Sequence, residues 1–156
     1  MADIRNKGLI IKTLIAVTLL DRVSKAVISR LPQDTIEVIP GFFNLVHVAN
    51  RGAAFGILGD SGNIGAIFLA VVSILAIIII AVLLARTNTR WISLSLSFIG
   101  GGALGNLIDR LWSGAVFDFM DIHLGAYHWP AFNVADSAIT IGAGLYIAGS
   151  WLWKED

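Results

Sequence analysis

The sequence predicts an all-α membrane protein with four transmembrane helices and a small extramembrane β-sheet segment between the first and second. Three observations lead there. Of its 156 residues, 56% are hydrophobic and only 14% are charged, against about 25% in an ordinary soluble domain. The mean hydropathy is +0.80. Uncharged runs near the length of about 20 residues that a bilayer crossing needs recur along the chain, and the charges gather between them.

The expected spans cover about 8–29, 62–85, 91–110 and 132–153, with outer segments at about 31–61 and 111–131, all within a single domain over 1–156. The first begins as a signal peptide would, but no small-residue cleavage site follows, and Asp21, Arg22 and Lys25 continue it in helical spacing, so it reads as a retained span. Asp21 and Lys25 are four apart and share a helix face, where pairing lowers the cost of keeping them near lipid.

From Leu31 the chain turns rich in Pro and Gly, and Ile36–Ile39 and Phe42–Val48 are β-favouring pieces between the breakers. A tight turn of small residues, NRGAAFG from Asn50, follows. The next twenty-five residues, from Ser61 to Ala85, carry no charge. The link between Arg86 and Arg90 is so short that the following span must return antiparallel. That span is small-faced, with Ser93, Ser95, Ser97, Gly100, Gly101, Gly102, Ala103 and Gly105, a composition that lets membrane helices approach closely. Trp151 and Trp153 mark a closing interface.

Arg5, Lys7, Arg86, Arg90 and Lys154 fall on one side of this arrangement, against Arg30, Arg51 and Arg110 on the other, which makes the termini cytoplasmic. The formal net charge is zero, and no basic stripe suggests nucleic acid as a partner. The absence of cysteine excludes disulfides, thiolate metal sites and a cysteine nucleophile.

The stretch from Gly100 to Asp136 holds the chemistry. It concentrates Asp109, Asp118, Asp121 and Asp136 beside apolar runs, and ionisable groups in such places mark sites by default. Two carboxylates sharing a partly dry site do not both ionise easily. One keeps a proton while the other acts as a base, the arrangement with which an aspartic protease activates water. Each aspartate also has a plainer role. Asp109 precedes Arg110 and would form a helix-end salt bridge, Asp121 would be a solvated loop residue, and Asp136, three after Asn133, would sit in a helix's first turn on the favourable end of its dipole. Asp118 stands between Phe117 and Phe119, a setting that favours the neutral carboxyl.

A metal site from Asp118, Asp121, His123 and His128 has suitable ligand types but no ligand spacing of known mechanics. An ion pathway would spread its acids through the bilayer depth, whereas these gather at one edge. A non-catalytic transport or assembly subunit with a buried ion-pair network is the alternative to an enzyme.

Five motifs, DRVSK at Asp21–Lys25, NRGAAFG at Asn50–Gly56, GGALGNLIDR at Gly101–Arg110, GAVFDF at Gly114–Phe119 and FNVADS at Phe132–Ser137, together resemble lipoprotein signal peptidase, also called signal peptidase II. Arg22 and Ser24 depart from the glutamine and threonine more usual there. The resemblance implies an aspartic endopeptidase of the bacterial inner membrane that cuts prolipoproteins just before a diacylglyceryl-cysteine. It implies no cofactor and no metal. The catalytic pair maps onto Asp118 and Asp136. Asn106, Asp109, Arg110, Asn133 and Ala135 map onto the surrounding shell, and Asp21, Lys25, Asn50 and Gly52 onto structural or substrate-contacting positions. The site would face the outer membrane boundary and the protein would act as a monomer. The sheet-forming segment would clamp the substrate from above, through Phe42 and Phe55.

Overall fold

The chain is seen here as a computed structural model, which describes residues 4–52 and 62–152. The expected turn over 53–56 with its Phe55 contact, and Trp153 and Lys154, lie outside the described residues. Among those described, four helices and four strands follow in the order α1 (Ile4–Ile28), β1 (Ile36–Ile39), β2 (Phe43–Asn50), α2 (Gly62–Arg86), α3 (Arg90–Ser113), β3 (Val116–Leu124), β4 (Tyr127–His128) and α4 (Val134–Leu152). Two of the helices, over Ile64–Arg86 and Arg90–Ser113, are long and apolar enough to cross a membrane.

Helix α3 is the axis of the bundle, packed by α1, α2 and most extensively by α4. Its small residues make this possible. A methyl added at Gly101 would lie 2.8 Å from Val17 Cβ, one at Gly102 would lie 2.8 Å from Ile139 Cγ1, and one at Gly142 would lie 2.7 Å from the Ser95 carbonyl. The backbones therefore meet without intervening side chains. Ser93, Ser95 and Ser97 are fully buried. The Ser95 and Ser97 hydroxyls donate to the carbonyls of Trp91 and Ser93, at 2.8 and 2.6 Å, which offsets the cost of burying those two hydroxyls.

The contacts also fix direction. Leu14, Val17 and Asp21 meet Gly100, Gly101 and Gly105 in order, so α1 runs parallel to α3. Ala135 meets Gly102 and Gly142 meets Ser95, so α4 runs antiparallel. Ile80 and Leu84 cluster with Leu96, which folds α2 back along α3 as the short link requires. The rest of α2 exposes Ile64, Ile67, Phe68, Leu75, Ile78 and Ile79, an apolar surface suited to lipid and not to water.

The sheet is larger than the sequence suggests. All four strands pair antiparallel in the order β1-β2-β3-β4, so the second outer segment, expected as a loop, supplies half of it. Phe117, Phe119, Ile122 and Val116 are good strand formers, and the intervening aspartates concealed them. Gly114 ends α3 in the left-handed conformation at φ 71°, its N–H donating to the Arg110 carbonyl at 3.1 Å, and turns the chain directly into β3. Gly125, at φ 59°, turns it back.

Candidate active site

Four elements converge where the sheet meets the bundle. Asp118 lies on β3, opposite Val48 of β2, and is 1% exposed. Asp136 lies in the first turn of α4 and is half-buried. The residue between them is Asn133. Its side-chain amide donates to Asp118 Oδ1 at 2.6 Å, and its backbone N–H donates to Asp136 Oδ2 at 3.2 Å. Its side-chain oxygen accepts the Asp136 N–H at 2.9 Å. This reciprocal cap is why the chain turns into α4 at this point, so Asp136 fills both its plain structural role and a place in the cluster.

Each carboxylate has a second amide donor. Asn50, at the end of β2, donates to Asp118 Oδ2 at 2.9 Å, and its side-chain oxygen accepts the Gly52 N–H at 3.0 Å. Asn106 of α3 donates to Asp136 Oδ1 at 2.7 Å. Burial, and to a lesser degree the charge of Asp136, pushes the Asp118 carboxyl up to about 6 against the lowering effect of its Asn50 and Asn133 hydrogen bonds. Arg110 stands within electrostatic reach of Asp136, Asp118 and Asp109.

Behind the pair lies a buried ionic layer. Lys25 is 3% exposed and reaches Asp109 Oδ2 at 2.7 Å and Asp21 Oδ2 at 2.9 Å. Asp21 Oδ1 accepts the Ala135 N–H at 3.0 Å, tying α1 to the start of α4. Asp109 also accepts the Phe117 N–H, at 3.3 Å, one residue before Asp118. Among the described residues Asp109 pairs with Lys25 and Arg22, not with Arg110 as expected. Consecutive helical residues point in different directions, so Asp109 and Arg110 do not face each other. Arg22 is a site-supporting residue that the motif reading passed over. The available signal was its position three before Lys25 on the same helix face.

Asp121 is also corrected. It is a buried strand residue, 7% exposed, and not a solvated loop residue. Asn44 donates to it at 3.0 Å and His128 Nδ1 lies at 2.8 Å. Burial alone would raise its carboxyl, but these partners hold it below its ordinary value. Asp118 faces the amides and Asp121 faces His128, so the four residues considered as metal ligands are not gathered. No group of three His, Asp or Glu side chains among the described residues could hold an ion together.

Comparison with known proteins gives one answer. The family model for signal peptidase (SPase) II matches residues 13–152. The lipoprotein signal peptidase of Desulforapulum autotrophicum is 48% identical over 133 residues, 82% of this chain and 82% of that one. That of Burkholderia mallei is 49% identical over 133 residues, 84% of this chain and 80% of that one. A solved structure described as a bacterial membrane enzyme, obtained by the in meso method, superposes with a TM-score of 0.81 at 32% identity, over 96% of this chain and 94% of the other. The match spans every element that contributes to the cluster, and the chain belongs to the signal peptidase II family, proteases that remove signal peptides from prolipoproteins.

Proposed function

We propose that the chain is an aspartic endopeptidase in which Asp118 and Asp136 are the catalytic pair, cutting prolipoproteins just before a diacylglyceryl-cysteine. The observation that carries this is the shared bridge through Asn133, which holds the fully buried Asp118 carboxylate with its side-chain amide and the half-buried Asp136 carboxylate with its backbone N–H. In the resting pair Asp118, the more buried partner, keeps the proton and Asp136 is ionised. Asp136 takes a proton from a water whose oxygen attacks the scissile carbonyl, while Asp118 donates to the carbonyl oxygen. Collapse of the tetrahedral intermediate breaks the C–N bond as the proton held by Asp136 passes to the departing amine and one hydroxyl of the intermediate returns its proton to Asp118, which leaves a carboxylic acid product and restores the resting pair.

The setting suits such a substrate. We read all four helices as spans, with the termini cytoplasmic and the sheet end at the outer face of the inner membrane. By sequence, Arg5, Lys7, Arg86, Arg90 and Lys154 belong to the cytoplasmic side of that arrangement against Arg30, Arg51 and Arg110 on the other, which supports that orientation. A lipidated precursor reaches such a site from within the bilayer, and Phe42, half-exposed at the β1–β2 turn, is placed to press on it from the sheet. We read the enzyme as a monomer.

The test is cleavage of a diacylglyceryl-modified precursor by the purified protein in detergent. Turnover should fall at least about a thousandfold in both Asp118→Asn and Asp136→Asn while both stay folded, and a chelator should change nothing. Activity surviving in either variant, or lost to the chelator, would overturn the dyad.

A further inference from the structure

Lys25 is too buried to touch substrate, and its surroundings assign it a narrower task. An ammonium has three donors and no acceptor. The three oxygens around Nζ are Asp109 Oδ2 at 2.7 Å, Asp21 Oδ2 at 2.9 Å and Asn106 Oδ1 at 3.2 Å. The first two hold the ammonium in place from α1 and α3. The third is a neutral amide, which can present either its oxygen or its NH2 group, and only the oxygen can face a donor.

Asn133 makes the same demand, since its Nδ2 donates to Asn106 Oδ1 at 3.1 Å. With the oxygen pinned on that side, the Asn106 NH2 group points the other way, to Asp136 Oδ1 at 2.7 Å. Turned over, the amide would set its NH2 group against the ammonium and the Asn133 NH2 group, and its oxygen against the Asp136 carboxylate. All three contacts would become repulsive.

We infer that Lys25 is a positioning residue that fixes the orientation of the Asn106 amide, so that Asn106 always presents a donor to Asp136 and Asn133 always presents one to Asp118. The inference rests on the dyad proposed above for its catalytic consequence, but the amide orientation itself does not depend on it. A purely structural lysine would need only its two carboxylates. Asp109 keeps Arg22 and the Phe117 N–H in any case, whereas Lys25 supplies the partner of Asp21 Oδ2 and one of the two donors on the Asn106 oxygen, the one that can never present an acceptor instead.

The experiment uses full-length protein in detergent micelles with 15N-labelled asparagine. In the wild type the Asn106 side-chain NH2 should be protected from solvent exchange, and its two protons well separated in shift. An Asn106 NH2 that exchanges as fast as an exposed asparagine would overturn the proposal without any variant. The second arm pairs Asp21→Asn with Lys25→Met, which removes the ammonium without leaving a lone charge at either position. In that variant the Asn106 protection should be lost and kcat should fall about tenfold or more, with KM within about threefold of wild type. Retained protection with kcat within about twofold of wild type would sink the proposal. If the wild type fails to cleave the precursor while protection still depends on Lys25, the peptidase assignment fails and the amide assignment stands.

Discussion

Asn133 donates to Asp118 at 2.6 Å while it caps the helix that carries Asp136, so one side chain fixes the relative position of the two candidate catalytic groups. The two jobs separate by substitution. Asn133→Ser keeps an N-cap acceptor but loses the amide donor, whereas Asn133→Ala loses both. Serine should therefore reduce kcat by about a hundredfold with little change in thermal stability, because misplaced reacting groups are costly. Alanine should reduce kcat similarly and also destabilise the protein by about 1 kcal/mol, the usual worth of a cap. Turnover and thermal unfolding in the same detergent check both, and equal stability of the two variants would show that the cap is unimportant.

Asn50 opposes the effect of burial on Asp118. Its hydrogen bond favours the ionised form of Asp118 and partly offsets the rise that burial causes. With Asp118 needed in its protonated form, kcat/KM should decline as pH rises through about 6. Asn50→Ala removes the donor, so the midpoint of that decline should move upward by roughly one pH unit. A pH profile with an unmoved midpoint, or one moved downward, would contradict the assignment of the proton to Asp118.

Much of this architecture was legible in the sequence, for physical reasons that differ by element. The uncharged run of α2 and the three-residue link to α3 leave one arrangement, because length and hydrophobicity suffice to define them. Asp21 and Lys25 declare their pairing through helical spacing alone. Strand β3 was hidden because Asp118 and Asp121 break its apolar pattern, although they are the reason the strand matters. The partners of Asp109 were unreadable for another reason. Arg22 lies 87 residues away, and no local rule prefers it to adjacent Arg110 until α1 and α3 are known to run side by side. The bridge through Asn133 is intermediate, since its cap on Asp136 follows from local spacing while its amide to Asp118 depends on the fold.

Two glycines in α4 predict opposite outcomes for the same substitution. A methyl at Gly142 would lie 2.7 Å from both the Ser95 carbonyl and Ile99 Cγ1, whereas one at Gly144 meets nothing within 4 Å. Gly142→Ala should push α4 off α3 and cost about 1–3 kcal/mol. Gly144→Ala should be neutral or stabilising by up to about 1 kcal/mol through helix propensity. Thermal unfolding of the two variants side by side is sufficient, and a destabilised Gly144→Ala would mean that another surface covers that face.

The last prediction separates an enzyme from a structural ion-pair network. An aspartate carboxyl titrates near 3.9 in an unfolded chain, but burial pushes Asp118 up to about 6 in the fold. The folded protein therefore binds the proton more tightly. Its stability is unpenalised below about pH 4, falls as pH rises to about 6, and carries the full penalty above that. Asparagine does not titrate. Asp118→Asn should thus be more stable than wild type at about pH 8, by about 1–2 kcal/mol once the poorer fit of its NH2 group against Asn50 or Asn133 is allowed for. The advantage should vanish at about pH 4, where wild-type Asp118 is also neutral. Denaturation at the two pH values measures the difference. A carboxylate kept for stability would give the reverse, with Asp118→Asn weaker at about pH 8 than the wild type because a needed charge has been removed. A protein that gains stability when it loses Asp118 retains that residue for what it does to the substrate.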